Sequence, residues 1–370
     1  MSEYQYYEFQ TIDRPLTEDE QAAISELSSR VALTPTQAIF TYQYGDFRGD
    51  EQQVLARYFD ALLYLANWGT QRLMFRFPKA LIDLEAVTAY CIEDNITVET
   101  IGDQVILDIQ FNDEEGLGWV EGEGWLSRLI GLRAELLRRD YRGLYIAWLK
   151  ASVNIEVDEA DEELEEPPVP LGLRTLSPAL RAFVELFEVD PQLLKVAAQA
   201  SGAAALPADA ALRAAIGKLT RAERDDYVLR LARDEPHLAL KLHARLREVS
   251  GAADGPPPPR RTAAQLLAQA EQEHERVRQE QAQAAEAKRI AEIEALARRG
   301  SQAWQEVDAL IQKFTAKGYA EAAQLLLKLR EVAVYEQTEA AFQVRVHAIG
   351  AQYKRRPSLL AQLRQAGLLS

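Results

Sequence analysis

The sequence predicts an α+β N-terminal domain, built on a mainly antiparallel sheet with helices, followed by all-α helical units that include one long helix. Three observations lead there. Short runs rich in aromatic and β-branched residues, separated by Gly, Asn and Asp turns, are concentrated in the first third of the chain. From residue 173 onward, apolar residues recur at helical spacing on an Ala- and Leu-rich background. Residues 263–299 then run without proline or glycine in an Ala-, Glu- and Arg-rich stretch.

The elements follow in order. Tyr4, Tyr6 and Glu8 alternate with Gln5, Tyr7 and Phe9, a first strand rich in β-favouring aromatics. Thr17 with Glu20 three residues on forms a capping box, preceded by Leu16 as its hydrophobic staple and followed by Ile24 and Leu27 as the buried stripe. "TQAIFTYQYG" reads as a second strand ended by Gly45. Asp50 caps the next helix, in which Val54, Leu55, Tyr58, Phe59, Leu62, Leu63 and Leu65 recur at helical spacing. That periodicity extends the helix to residue 65 and makes Asn67-Trp68-Gly69 a helix-to-strand joint, with Trp68 folded back as a packing lid. A strand follows with Leu73, Phe75 and Phe77 on one face, Arg72, Met74 and Arg76 on the other, and Pro78 at its end. "ITVETIGDQVILDIQF" is a hairpin turning at Gly102-Asp103. Residues 125–150 close the domain as a helix or helix pair.

Ser177 with Pro178 starts the second, helical unit, an N-cap followed by proline at the first helical position. The long helix over 263–299 carries a thin apolar seam interrupted by His274 and Gln281, which suits a solvated arm or a weak coiled coil. Helices near 302–316, 319–335 and 338–353 and a last one from Pro357 complete the chain.

The net charge of −15 is unevenly spread. Residues 1–155 carry 13 basic and 25 acidic residues, and residues 156–170 carry 8 acidic and none basic. Such an acidic front repels nucleic-acid phosphates and suits a basic protein partner. "EVDEADEELEEPPVPLG" and "SGAADGPPPPRR" read as linkers, self-repelling in the first case and a stiff polyproline spacer in the second. The expected organisation is therefore an α+β domain over 1–155, an acidic linker over 156–172, a small helical domain over 173–249, a Pro-rich linker over 250–262, the long helix over 263–299 and a helical-hairpin region over 300–370. The acidic linker is expected to be exposed, and residues 1–155 to fold alone. The single cysteine, Cys91, excludes an internal disulfide framework and fits a reducing cytoplasm. No apolar run reaches the ~18 residues that span a bilayer.

No motif announces catalysis. The four histidines lack metal-site spacing, and Glu114, Glu115, Glu121 and Glu123 oppose a phosphate in the glycine-rich stretch around residues 116–124. No cofactor or metal is expected. Arg128, Arg133, Arg138, Arg139 and Arg142 form a local basic patch suited to an acidic partner, with Arg138, Arg139 and Arg142 as the candidate contacts, or to internal pairing. Trp68 beside Arg72 would mark a partner surface if exposed. Tyr42, Asp46, Arg48, Asp50, Arg72 and Arg76 cluster near expected strand ends, the material for an alternative, hydrolase-like reading centred on Asp46 and Asp50.

"EYQYYEFQTIDRPLT", "YGDFRGD" and "YLANWGTQRLMFRFP" resemble a set of uncharacterised bacterial proteins, a resemblance that supplies no activity. "KGYAEAAQLLLKLREVA" resembles the second half of a tetratricopeptide-type hairpin, with Tyr319, Ala322 and Leu326 at its aromatic, small and bulky positions. This likeness makes Tyr319 a further candidate partner-binding residue. The tail "KRRPSLLAQLRQAGL" looks like the ends of some bacterial SWIM zinc-finger proteins, but their cysteine-histidine motif is absent, so zinc does not carry over. The expected function is a non-enzymatic cytoplasmic interaction or scaffold protein, with protein partners, self-association through 263–299 and no membrane contact. The alternatives are the hydrolase-like enzyme above and an accessory factor of a nucleic-acid-processing system. Tight direct nucleic-acid binding is not expected.

Overall fold

The computed structural model describes residues 3–113, 122–153, 164–202, 209–250 and 260–369. The chain forms two compact units, residues 1–274 and 275–370.

The first unit is organised by an antiparallel sheet of seven strands. These are β1 (Gln5–Gln10), β2 (Ala32–Thr34), β3 (Gln37–Tyr42), β4 (Ala61–Ala66), β5 (Thr70–Pro78), β6 (Ile96–Ile101) and β7 (Gln104–Asn112), in the order β2-β3-β1-β4-β5-β7-β6. One face is covered by α1 (Glu18–Leu27) and α2 (Glu51–Tyr58), whose Ile24, Val54 and Leu55 meet Tyr7, Phe9, Phe40, Leu62 and Met74. The capping box at Thr17 and the Asp50 cap start these helices as the sequence implies. Behind the other face lie α3 (Leu84–Thr88), α4 (Trp125–Leu129), α5 (Gly131–Leu137), α6 (Arg142–Val153), α7 (Pro178–Leu186) and α8 (Pro191–Ala197), with the first turns of α12 (Ala263–Arg299). Residues 125–150 thus hold three helices, not one or two.

The helix expected to reach residue 65 stops at Tyr58. Phe59 is extended, and Leu62, Leu63 and Leu65 lie in β4. The strand is central and covered on both sides, so it is apolar at nearly every position, and such a run satisfies helical and strand spacing alike. Asn67-Trp68-Gly69 is consequently the turn of the β4–β5 hairpin. Gly69 has φ 110°, and a Cβ there would fall 1.9 Å from the Asp113 carbonyl oxygen, so this corner admits only glycine.

The core does not close at residue 155. Phe187 packs edge-on against Phe111 of β7, and the Gln71 side chain of β5 donates to the Leu186 carbonyl at 2.9 Å. Leu180, Phe183 and Leu193, together with Leu266 and Ala270 of α12, belong to the same buried cluster as Leu73 and Phe75. Nor is the proline-rich half of the acidic segment free. Glu166 is 2% exposed, accepts two bonds from Arg261 at 2.7 and 2.8 Å, and receives the Tyr145 hydroxyl. Charge burial is prohibitive only for an unpaired carboxylate, and the arginine of the second linker supplies the pair. Residues 154–163 lie outside the described residues.

The remaining helices of this unit are α9 (Asp209–Lys218), α10 (Arg221–Ala232) and α11 (Leu238–Ser250). Their own buried core is small, formed by Ala215, Leu219 and Leu246. α10 contributes no buried residue to it and exposes Val228, Leu229 and Leu231.

The second unit begins within α12, whose 37 residues rise about 55 Å at 1.5 Å each. It continues with α13 (Ser301–Gln312), α14 (Ala316–Tyr335), α15 (Glu339–Gln352) and α16 (Pro357–Gln365). Val307, Ile311, Leu326, Phe342, Val346, Leu359 and Leu363 form its core. α13 and α14 approach closely at Gly318, where a Cβ would meet the Leu310 carbonyl at 2.6 Å. No described helix is long and apolar enough to cross a membrane.

One ionic group ties the first unit together. Asp60, 1% exposed at the start of β4, accepts the backbone N–H groups of Ile12 and Asp13 at 2.6 and 2.9 Å and the Arg76 guanidinium at 2.7 Å. Arg133 of α5 lies 3.5 Å from it and grips Asp13 with two bonds of 2.9 and 2.7 Å. Despite burial, these donors hold the Asp60 carboxyl below its ordinary range. Removing one partner strands a buried charge. Arg133→Met is expected to lower the unfolding free energy by about 3–5 kcal/mol, the effect of breaking a buried pair from one side. Urea denaturation measures this, and a loss below about 1 kcal/mol, the range of surface pairs, would mean the group is not a keystone.

Candidate functional site

Of the polar residues foreseen near strand ends, Tyr42, Asp46 and Arg72 come to one end of the sheet, where they meet residues not foreseen. The registers Tyr7↔Tyr64 and Tyr64↔Arg72 set three side chains in a row across β1, β4 and β5. Gln5, buried beside them, is the hub. Its Oε1 accepts the hydroxyls of Tyr7 and Tyr64 at 2.8 and 3.1 Å, and its Nε2 donates to the Gly45 carbonyl and to Asp46, both at 3.1 Å. The two tyrosine rings stack at 4.4 Å. Arg72 completes the row. It meets Asp108 through Nε at 2.9 Å and Nη2 at 2.5 Å, and Glu51 of α2 through Nη1 at 3.0 Å.

Burial and charge pairing set the electrostatics of this base layer. Burial pushes the Tyr64 hydroxyl up to about 12 and Tyr7 higher, so both remain neutral donors. Burial also raises the Glu51 carboxyl, against the pull of Arg72. The guanidinium spends its donors on two carboxylates.

Above this base the sheet end is open. Tyr44, in the β3–α2 loop, is 79% exposed, and Trp68, at the tip of the β4–β5 hairpin, is 45% exposed. Trp68 is also fixed, since its indole N–H donates to Thr70 Oγ1 at 3.1 Å, and that hydroxyl donates to Asn112 at 2.9 Å. Asn67 exchanges bonds with the Tyr4 backbone on the other side, at 2.9 and 3.0 Å. Trp68 is therefore a displayed side chain, not the packing lid expected.

The other foreseen residues disperse. Asp50 caps α2, and Arg76 turns to Asp60, while Arg48 is exposed. Arg142 is caged by Asp140 and by the carbonyls of Gly172 and Thr175. Arg139 pairs with Asp83 at 3.2 Å, and Arg138 is exposed. Tyr319 is buried in the core of the second unit and presents no surface there, because its aromatic position packs α13 against α14. Among the described residues no group of three or more His, Cys, Asp or Glu could hold a metal ion.

A buried titratable group on the opposite face has no counterpart in the sequence reading. Glu8 is 1% exposed, accepts the Tyr6 hydroxyl at 2.9 Å and Gln37 Nε2 at 2.6 Å, and has no cationic partner among the described residues. Its strand position marks it as one polar residue among aromatics, but nothing in the local pattern tells which face is sealed. Burial pushes its carboxyl above the ordinary range, and Glu123 adds to the rise. A carboxyl raised by folding binds protons more readily in the native state, so its stabilising contribution is full at acid pH and is lost as pH rises through the raised value. Glu8→Gln keeps both bonds by donating to Tyr6 and accepting from Gln37. The thermal midpoint of the variant is expected to gain on the wild type as pH rises from 4 toward 7, by about 4–8 °C per kcal/mol for a small domain and less for this chain. A midpoint difference constant across that range would show that Glu8 does not titrate with folding.

No family model matches the chain, and neither does any curated protein or solved structure, so the geometry of the sheet end stands as the guide to function.

Proposed function

We propose that this is a non-enzymatic interaction protein of the cytoplasm, whose sheet end receives a protein partner on Tyr44 and Trp68. The observation that carries the reading is an exposed tryptophan held by a hydrogen bond on the β4–β5 hairpin. Interface anchors are enriched in Trp and Tyr, which supply large contact area with few rotamers to freeze. Here that entropy is already spent in the free protein, since the indole is tied to Thr70 and the platform beneath is locked by Gln5 and Arg72. The acidic balance of residues 1–155, with Asp46 and Asp50 exposed beside the aromatics, suits a partner with basic residues at its rim. The reactive candidates of the hydrolase-like alternative are engaged otherwise, Asp50 in a cap and Asp46 with Gln5.

The test is affinity capture from native extract with the wild-type chain and a Tyr44→Ala/Trp68→Ala double variant, alongside sedimentation to read self-association through 263–299. One stoichiometric partner retained by the wild type and weakened at least tenfold, about 1.4 kcal/mol, in the double variant is the expected result. Equal capture by both proteins would move the interface elsewhere. No partner together with no self-association would remove the interaction reading.

A further inference from the structure

We infer that the second unit carries a separate binding surface, built on Phe314 and Arg356, for an acidic peptide segment that contains an apolar side chain. Phe314 follows the last turn of α13 in a left-handed backbone conformation, φ 53°. That place at a helix end is normally filled by glycine or asparagine, because a bulky side chain there crowds the backbone. The aromatic ring is not repaid by burial, since Phe314 is 51% exposed. A strained and exposed aromatic is an outlier from which function can be argued.

What lies against the ring gives the chemistry. The Arg356 guanidinium sits 4.3 Å from the ring centroid, stacked by cation–π attraction. It has no ion pair among the described residues. With no ion pair to occupy it, the guanidinium offers the N–H fork that takes a carboxylate with two parallel bonds. The surroundings carry the same sign. Lys354 and Arg355 immediately precede it, and Lys317 stands in the first turn of α14, all exposed and without ion pairs among the described residues. Lys313, next to Phe314, reaches only Glu321, at 3.7 Å. A local excess of cations around one exposed aromatic complements an occupant with several carboxylates and one apolar anchor. Phosphates would satisfy the charge equally. The half-exposed apolar ring beside the cation favours a peptide that brings an apolar side chain next to its carboxylates, and an oligonucleotide is the competing occupant that the test separates.

The experiment uses the full chain and a fluorescein-labelled peptide of glutamates with a central leucine, read by fluorescence anisotropy against added salt. Salt-sensitive binding by the wild type is expected. Phe314→Gly is expected to weaken it about tenfold or more, as loss of an anchor does, while leaving the thermal midpoint unchanged or higher, because glycine accepts the left-handed backbone. Arg356→Lys keeps the charge but loses the planar fork, and is expected to bind more weakly than the wild type. No binding by the wild type, undiminished binding by Phe314→Gly or a marked fall in its thermal midpoint would overturn the assignment, the last by making Phe314 a packing residue. A labelled oligothymidylate bound more tightly than the peptide, with loss in Phe314→Gly, would overturn the choice of occupant.

Discussion

Everything in the first unit is arranged around a carboxylate that has nowhere to go. Asp60 sits where α2 hands over to β4, sealed from solvent, and its partners come from three other parts of the chain: the segment after β1, β5 and α5. Arg133 closes the group by holding Asp13 on one side and donating to the Arg76 carbonyl at 2.8 Å on the other. Electrostatic attraction here acts in a low-dielectric setting, where a misplaced charge is severely penalised. The helices behind the sheet and the strands in front of it can be joined in one register only, because any other leaves one of these groups buried and alone.

That constraint explains where sequence reasoning succeeds and where it stops. Features set by neighbours along the chain were legible: the capping box at Thr17, the Ser177–Pro178 helix start, the β6–β7 hairpin and the 37-residue helix. Each depends on side chains within a few residues of one another. The stretch from Phe59 to Ala66 was not legible, because its strand character comes from insertion between β1 and β5, and a sequence of Leu and Ala fits a helix as well. The proline-rich end of the acidic segment failed for the complementary reason. Glu166 looks like one more solvated acid until Arg261, 95 positions away, is placed beside it.

The candidate surface was half legible. Trp68 and Arg72 stood out by residue type, and their joining at one sheet end follows from the β4–β5 register. Exposure decides their roles, and exposure is a tertiary property. Arg72 ended beneath the surface and Trp68 upon it. Tyr319 shows the reverse, an aromatic at a helical-repeat position that the packing of α13 and α14 consumes entirely. Phe314 was signalled only by an aromatic where a helix end calls for glycine, a pattern that becomes visible once the helix boundary is known.

The clasp between Glu166 and Arg261 also has a kinetic meaning. It joins positions 95 residues apart, with the Glu165–Thr262 bridge beside it. Closing so long a loop forfeits chain entropy, roughly (3/2)RT ln n, before any contact repays it. The clasp rests on other parts of the first unit, since Arg261 also donates to the Val196 carbonyl of α8, at 3.3 Å, and Glu166 also takes the Tyr145 hydroxyl of α6, so its entropic cost falls on a loop whose ends those contacts also hold. Helices α9 to α11 lie inside the closed loop yet share little of its core. With so few buried side chains of their own, they are where local stability is expected to be lowest, even while the ends of the loop stay fastened.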